Sequence, residues 1–590
     1  MSELLQVASA LRRMSDEKLA NLITERMINS SGLVDFFDLA EALTKPTSIS
    51  AAIAGLPLSQ ALELRSLAAG QKPNPKVAAE LAGQMLISGE PEFKPFEATL
   101  ESLATFAKLE TVTAVADSVT SDAAASLGLP AQDQIDRDCG IEIFETMQAI
   151  TELIFDLEHR FVREVGKKNV GLPDIKRFAT HLRKTNEYAK QIYELAHLAN
   201  LIMLANGRWQ LSGQSQNWLD WNPGERFEHL AKTWRQILGD ASAKELQSAI
   251  SKNLGVTSLE IQLAKTYPFA DGSVSSKITK LETLAGLIGL SANGWMSSWA
   301  PKVLKCEYSG ASKQAAATLP QPQDKLICQA DLTLIAPGPL PTDIEITLRR
   351  FADTEQIGMA STYRLSALSI SHGLETGLAL TEIRELLVKL SGNSIPQPIE
   401  YLLNEAESRF GRLKVIGGEL NERTIVQSTD KVLLAEILND TKLKPFALSQ
   451  LEDGQLASRF EPEVLYFGLR EIGFVAIRVA SDGKVISPLA ATRQIMDTEK
   501  VKSIGADILR LREQDAKLGD SPDDDDLQRQ IQLAIKNKTR AKFTVTSGAG
   551  EIEFLLEPIG IANGRLRAKD RKADIERTLP ITSIIRVVLD

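Results

Sequence analysis

Eight basic residues fall between positions 167 and 208: Lys167, Lys168, Lys176, Arg177, Arg183, Lys184, Lys190 and Arg208. Only Asp174, Glu187 and Glu194 oppose them there, while the whole chain carries a net charge of −10. A local excess of Lys and Arg on an acidic background suits phosphate binding, because each neutralised phosphate releases condensed counterions. The competing reading is a solvated helical surface on a domain that binds protein; the opposition of local to global charge favours DNA. A second basic group lies near the C-terminus: Lys536, Lys538, Arg540, Lys542, Arg565, Arg567, Lys569, Arg571 and Lys572. Small barrels grip single strands with a positive groove and stacking aromatics. Only Phe543 and Phe554 stand nearby and both read as core, so a nucleic-acid groove and a solvated face are equally good readings.

Other residue types capable of chemistry do not assemble into a pattern. The chain has no GxxxxGK[ST] loop to cradle a nucleotide phosphate and no GxSxG elbow. His159, His181, His197, His229 and His372 form neither an HExxH nor a Cys/His ligand spacing, and for His181 and His197, on helices of the expected winged helix, packing or proximity to phosphate is the expected role. The run Asp523 to Asp526 reads as a solvated helix start in preference to a metal site. Cys139, Cys306 and Cys328 are far apart and unpaired by spacing, which points to reduced, buried, apolar fillers. The expectation is a protein without catalytic residues, metal or cofactor.

A chain of 590 residues exceeds what one core can organise, so several domains are expected. With 43% hydrophobic and 5% aromatic residues, aliphatic helical seams should dominate. The opening MSELLQVASALRRMSDEK lacks the apolar stretch of a signal peptide, and no run approaches the roughly 18 apolar residues of a membrane span. The expected setting is soluble and cytoplasmic, with no membrane partner.

The expected fold class is multidomain, mainly α with α+β parts. Residues 1–160 read as a helical N-terminal region, with stripes at Leu19, Leu22, Ile23 and at Phe36, Phe37, Leu39, Ala40, Leu43. Residues 161–238 read as a winged helix-turn-helix. Pro173 starts a helix with Ile175, Phe178, Ala179 and Leu182 inward, and a second helix turns Ile192, Leu195, Ala196 and Ala199 inward. Asn206-Gly207 then signals a hairpin wing, and WLDWNPGERFEHLAKTWRQIL reads as one closing helix. Lys190 and Gln191 fall on the candidate recognition helix and Arg208 on the wing. Residues 239–320 read as a helical region and linker, with Trp295 and Trp299 as anchors and 310–325 flexible. Residues 326–450 alternate strand and helix signals: Ser366 suits an N-cap, Gly392 a helix stop, and RLKVIGGELNERTIVQS a hairpin. A small α/β piece at 460–495 and a β-barrel-like domain at 527–590 complete the chain.

The segment LICQADLTLIAPGPLP, with TYRLS at 362–366 and SIPQPIEYLL followed by FGRLKV, resembles the helicase-associated domain at the N-terminus of bacterial XPB-type helicases. That family includes stand-alone bacterial proteins without the motor, and the resemblance covers residues ~326–430 closely. The stretch from IQLAIKNKTRAKFTV to RTLPITSII is similar to a WYL domain, although Leu566 and Arg567 stand where that family's aromatic pair belongs. Together these resemblances imply a non-catalytic DNA-binding accessory protein in repair or transcription. The alternatives are an interaction scaffold for a helicase or RNA polymerase, or a WYL-type ligand-sensing regulator.

Overall fold

The computed structural model describes residues 3–106, 130–160, 162–166, 169–251, 257–392, 394–418, 423–486, 504–517, 527, 531, 534–535, 539–547, 550–562, 564–570 and 575–589. The protein is multidomain and mostly helical, with several small sheets. Its chain divides into two compact units. One comprises Met1–Val115, Tyr267–Val274 and Val501–Asp590, and the other Ala116–Thr266 and Ser275–Lys500.

The first unit begins with short capped helices. Ser15 caps Asp16–Glu25 by accepting from the Lys18 N–H, and Asp35 caps Phe36–Thr44 by accepting from two amides. The expected stripes on these helices are buried. Their core is completed from the far end of the chain: Ile508 and Leu511 of helix Ile504–Lys517 are buried within it. Arg512 donates to the carbonyls of Arg12 and Met14 and lies 5.2 Å over the Phe36 ring, and Asp507 accepts from Ser30 Oγ at 2.6 Å. Among its described side chains the buried apolar ones are Ile508 and Leu511. A second core gathers helices Pro46–Ala54, Leu58–Ala68, Pro75–Gly83 and Glu97–Ala104, with Phe269 inserted among them.

The C-terminal strands form an antiparallel sheet ordered Ile575–Pro580, Arg565–Asp570, Gly550–Ala562, Ala541–Ser547, Ile584–Leu589. Among the described residues no pairing joins the two outer strands of this sheet. The strand Gly550–Ala562 is long enough to pair with one neighbour along its first half and another along its second, with a register shift between Pro558 and Gly560. The run Asp523 to Asp526 lies outside the described residues.

The second unit is organised around the 28-residue helix Gln132–His159. That helix groups with segments C-terminal to it, and the expected 1–160 region does not hold together as one body. A four-stranded sheet comes next, in the order Asn169–Val170, Val162–Val165, Arg208–Leu211, Ile202–Ala205. Between its strands lie helices Leu172–Leu182 and Asn186–Leu198, with the inward residues expected. Asn206 and Gly207 both take positive φ (51° and 70°), as a tight hairpin turn demands.

The expected single Trp-bearing helix is two, Gln214–Asp220 and Pro223–Leu238, because Asn222 caps the second through a reciprocal bond with Glu225 and Pro223 blocks continuity. Trp218 and Trp234 are buried with their indole N–H groups bonded to Thr151 Oγ1 (3.0 Å) and the Leu281 carbonyl (2.9 Å). Trp299 is buried likewise, whereas Trp295 is half-buried. The expected flexible stretch at 310–325 begins instead as helix Tyr308–Thr318, packed on Pro223–Leu238. Ala311, Ser312 and Ala315 are buried there, and Ser312 Oγ bonds the Gly224 carbonyl at 2.9 Å. A seam of small residues allows that close approach, and their low hydrophobicity makes the segment look like a connector.

Residues 326–406 share one core. An antiparallel sheet (Ile327–Cys328, Thr333–Ala336, Ser361–Arg364, Asp353–Gln356) packs with helices Thr342–Phe351, Ala367–Glu375, Leu380–Ser391 and Gln397–Arg409. Ser366 caps its helix and Gly392 ends the next at φ 65°, as expected. The hairpin Leu413–Gly417/Thr424–Ser428 belongs to a different core, which it shares with Pro462–Ile472 and Ala476–Val479. Leu413 pairs in parallel with Ala476, so the expected 326–450 and 460–495 pieces divide instead near residue 410. The two cores are tied by Glu375, which accepts from Tyr466 Oη at 2.7 Å and from Arg470; Arg470 also donates to the Leu368 carbonyl at 3.0 Å.

Leu511→Ala removes a buried anchor from the first core, at a cost of about 2–5 kcal/mol. Amide hydrogen exchange should rise across Asp16–Glu25 and Phe36–Thr44 and stay unchanged in Gln132–His159.

Candidate nucleic-acid interface

The helix Gln132–His159 carries a polar stripe along an apolar helix: Glu145, Gln148, Glu152 and Asp156 recur at three- and four-residue steps. Helix Leu172–Leu182 and its cap lie against that stripe. Lys184 Nζ meets Glu145 at 2.6 Å, His181 Nε2 meets Glu152 at 2.8 Å, and Arg177 pairs in two-pronged fashion with Asp156 at 2.5 and 2.8 Å. Burial opposes the Arg177 charge, but Asp156 outweighs it and the net direction is upward. Burial lowers His181. Lys184 also lies 5.3 Å over the Tyr188 ring.

The eight expected site residues therefore separate. Arg177 and Lys184 are held by acids of the long helix. Arg208, on the hairpin strand, pairs with Glu463 at 2.6 Å with its side chain 17% exposed. Lys167 and Lys168 lie outside the described residues. Lys176, Arg183 and Lys190 are exposed and make no ion pair among the described residues. Lys176 and Arg183 sit seven residues apart on the outer face of the first helix, Arg183 in the left-handed cap at φ 53°. Sequence reasoning misses the counter-ions Glu145, Asp156 and Glu463; the stripe of acids on the long helix is the available signal for the first two.

Of the second basic group, Lys542 pairs with Glu553 at 2.5 Å and Arg567 with Glu576 at 2.8 Å, while Lys536, Lys538, Arg571 and Lys572 lie outside the described residues. Phe543 is buried and Phe554 packs on the same core, consistent with their reading as core.

Glu152 extends the network inward. Its other oxygen meets Arg349 of helix Thr342–Phe351, and Arg349 also contacts Glu345 at 2.6 Å and Gln148 Oε1 at 2.6 Å. Arg349 is 4% exposed, Glu152 4% and Glu345 6%. Burial pushes Glu345 up to about 7, with Arg226 pulling the other way, and burial brings Arg226 down to about 10. Six residues beyond Glu152, burial pushes Glu158 up to about 8 against the pull of Arg350, with His372 at 3.9 Å. The helix pair, the long helix and the 326–406 core are thus one ionically locked assembly.

No group of three or more His, Cys, Asp or Glu residues that could hold a metal occurs among the described residues, and no described helix is long and apolar enough to cross a membrane. Of the cysteines, Cys139 is buried, with burial pushing its thiol up to about 12, but Cys306 is exposed and Cys328 half-buried, so the expectation of buried fillers fits only the first.

Residues 326–452 match the family described as helicase conserved C-terminal domain. The chain carries a helicase-associated domain. The match spans the 326–406 core and continues into the sheet built on Leu413–Gly417. No curated protein matches the sequence.

Arg349→Ala leaves Glu152 and Glu345 buried without their shared cation and should cost about 3–5 kcal/mol, read by urea denaturation. Glu158, raised from 4.5 to about 8, takes up a proton on folding. Its stabilising contribution is fully present below about pH 4.5 and lost as pH rises through about 8, a slope near 1.4 kcal/mol per pH unit. Glu158→Gln should flatten the fall of stability across that window and make the variant the more stable protein at pH 8.5, checked by denaturation at several pH values.

Proposed function

We propose that the protein is a non-catalytic DNA-binding accessory protein related to XPB-type helicases, acting in DNA repair or transcription. The observation that carries this reading is the helicase-family match in a domain ionically locked to a helix pair that presents Lys176, Arg183 and Lys190 outward. In a winged-helix reading, Asn186–Leu198 enters the major groove while the helix ends and the hairpin contact phosphates. The absence of a GxxxxGK[ST] loop supports an accessory role over a motor.

A protein scaffold is the second reading. Three cations of the basic set are neutralised internally, by Asp156, Glu145 and Glu463, which leaves fewer charges for DNA. A WYL-type sensor has less support, because Leu566 is buried in the sheet core and Arg567 is paired with Glu576.

The test is fluorescence anisotropy on duplex, forked and single-stranded DNA across a salt series. Reversal of Lys176, Arg183 and Lys190 to Glu leaves the internal ion pairs intact. It should weaken binding at least tenfold and reduce the salt slope by roughly 0.9 for each phosphate no longer neutralised. Unchanged binding removes this site, and no binding by the wild-type protein at low salt favours the scaffold.

A further inference from the structure

The first unit contains a cavity of about 470 Å³, open to solvent, on whose walls stand Arg26, Lys45, Thr47 and Ser48 and no aspartate or glutamate. We propose that this cavity binds a phosphate ester. The volume lies within the range of about 300–1,000 Å³ typical of small-ligand sites, larger than one inorganic phosphate needs.

Arg26 is the centre of the argument. Its Nη1 donates to the Gln84 carbonyl at 2.8 Å, and its Nη2 to the Leu43 carbonyl at 2.6 Å and to Ser48 Oγ at 2.9 Å. All three acceptors are neutral. Its Nε is buried with no hydrogen-bond partner. Burial draws its pKa down, to about 10, and no carboxylate among the described residues pulls it back up; the group is still charged at neutral pH. A largely buried guanidinium with no counter-ion among the described residues is costly, and an anion from outside removes that cost. Asp507, the acid that meets the neighbouring turn at Ser30, is already engaged by Ser30 at 2.6 Å and Arg510 at 3.1 Å.

Two further features share the charge. Lys45 is exposed at the rim and makes no ion pair among the described residues. Helix Pro46–Ala54 begins there without a side-chain cap, so its first-turn amides add positive potential beside Arg26. Ile28 and Leu33 line the cavity as well and give an apolar wall for the organic part of an ester. The phosphate could arrive as the monoester of a free nucleotide or as a phosphodiester in a nucleic-acid strand. The residues that line it belong to the first unit and the helix-pair cations to the second.

The test measures binding of adenosine monophosphate and of a short oligothymidylate to the full chain by calorimetry at low salt. Lys45→Glu sits at an exposed, unpaired position and keeps the fold, which an unchanged thermal melt verifies; Arg26→Gln is the companion variant. At least one probe should bind, and Lys45→Glu should weaken it tenfold or more. The triple reversal at Lys176, Arg183 and Lys190 should leave mononucleotide binding unchanged, which separates this site from the proposed interface. Loss of mononucleotide affinity in Lys45→Glu supports the site with a free nucleotide as the source; loss of oligothymidylate affinity alone supports it with a strand. Binding of neither probe, or equal affinities in wild type and Lys45→Glu, overturns the proposal.

Discussion

A single buried guanidinium constrains the second unit. Arg349 cannot leave the network without stranding Glu152 and Glu345, both nearly inaccessible to water. Because Glu152 also meets His181, the same carboxylate ties the helix pair to the helicase-associated domain. Ion pairs of this kind add little net stability over a well-packed apolar seam, but they reject other arrangements, since any slip leaves a charge unpaired in a low dielectric. Contacts of this kind join helices Leu172–Leu182, Gln132–His159 and Thr342–Phe351.

The same helix pair divides its cations between two tasks. Those facing the long helix serve the fold, and those facing outward are available to a ligand. Within the helix this division follows periodicity, positions 177 and 181 pointing one way and 176 and 180 another, and beyond the left-handed cap at Arg183 Lys184 meets Glu145. A count of basic residues in the sequence sees a single cluster, because the acids that neutralise part of it lie on a helix that starts more than thirty residues earlier.

Features written in short range were legible. Pro173, the turn Asn206-Gly207, the cap Ser366 and the stop Gly392 each act within a few residues, and each appears where the local chemistry placed it. Features set by distant partners were not. The parallel pairing of Leu413–Gly417 with Ala476–Val479 leaves no local mark, nor does the burial of Ile508 and Leu511 among the first helices. Small-residue packing was also hidden: Ala311 and Ala315 contribute a close helix contact by being small, and hydrophobic patterning gives them little weight. The basic set was visible as residue types, whereas its division into paired and free members was not.

The helix Ile504–Lys517 has a consequence for the order in which the protein is made. Arg510 and Arg512 reach back some 480 to 500 residues to Ser30 and Arg12. A ribosome releases the N-terminal helices long before it has synthesised the two side chains that complete their core. During that interval the apolar surface later covered by Ile508 and Leu511 is open, while the segments of the second unit all precede residue 501 and are already made. The helices Asp16–Glu25 and Phe36–Thr44 precede the second unit in the chain, yet the residues that complete their core follow it.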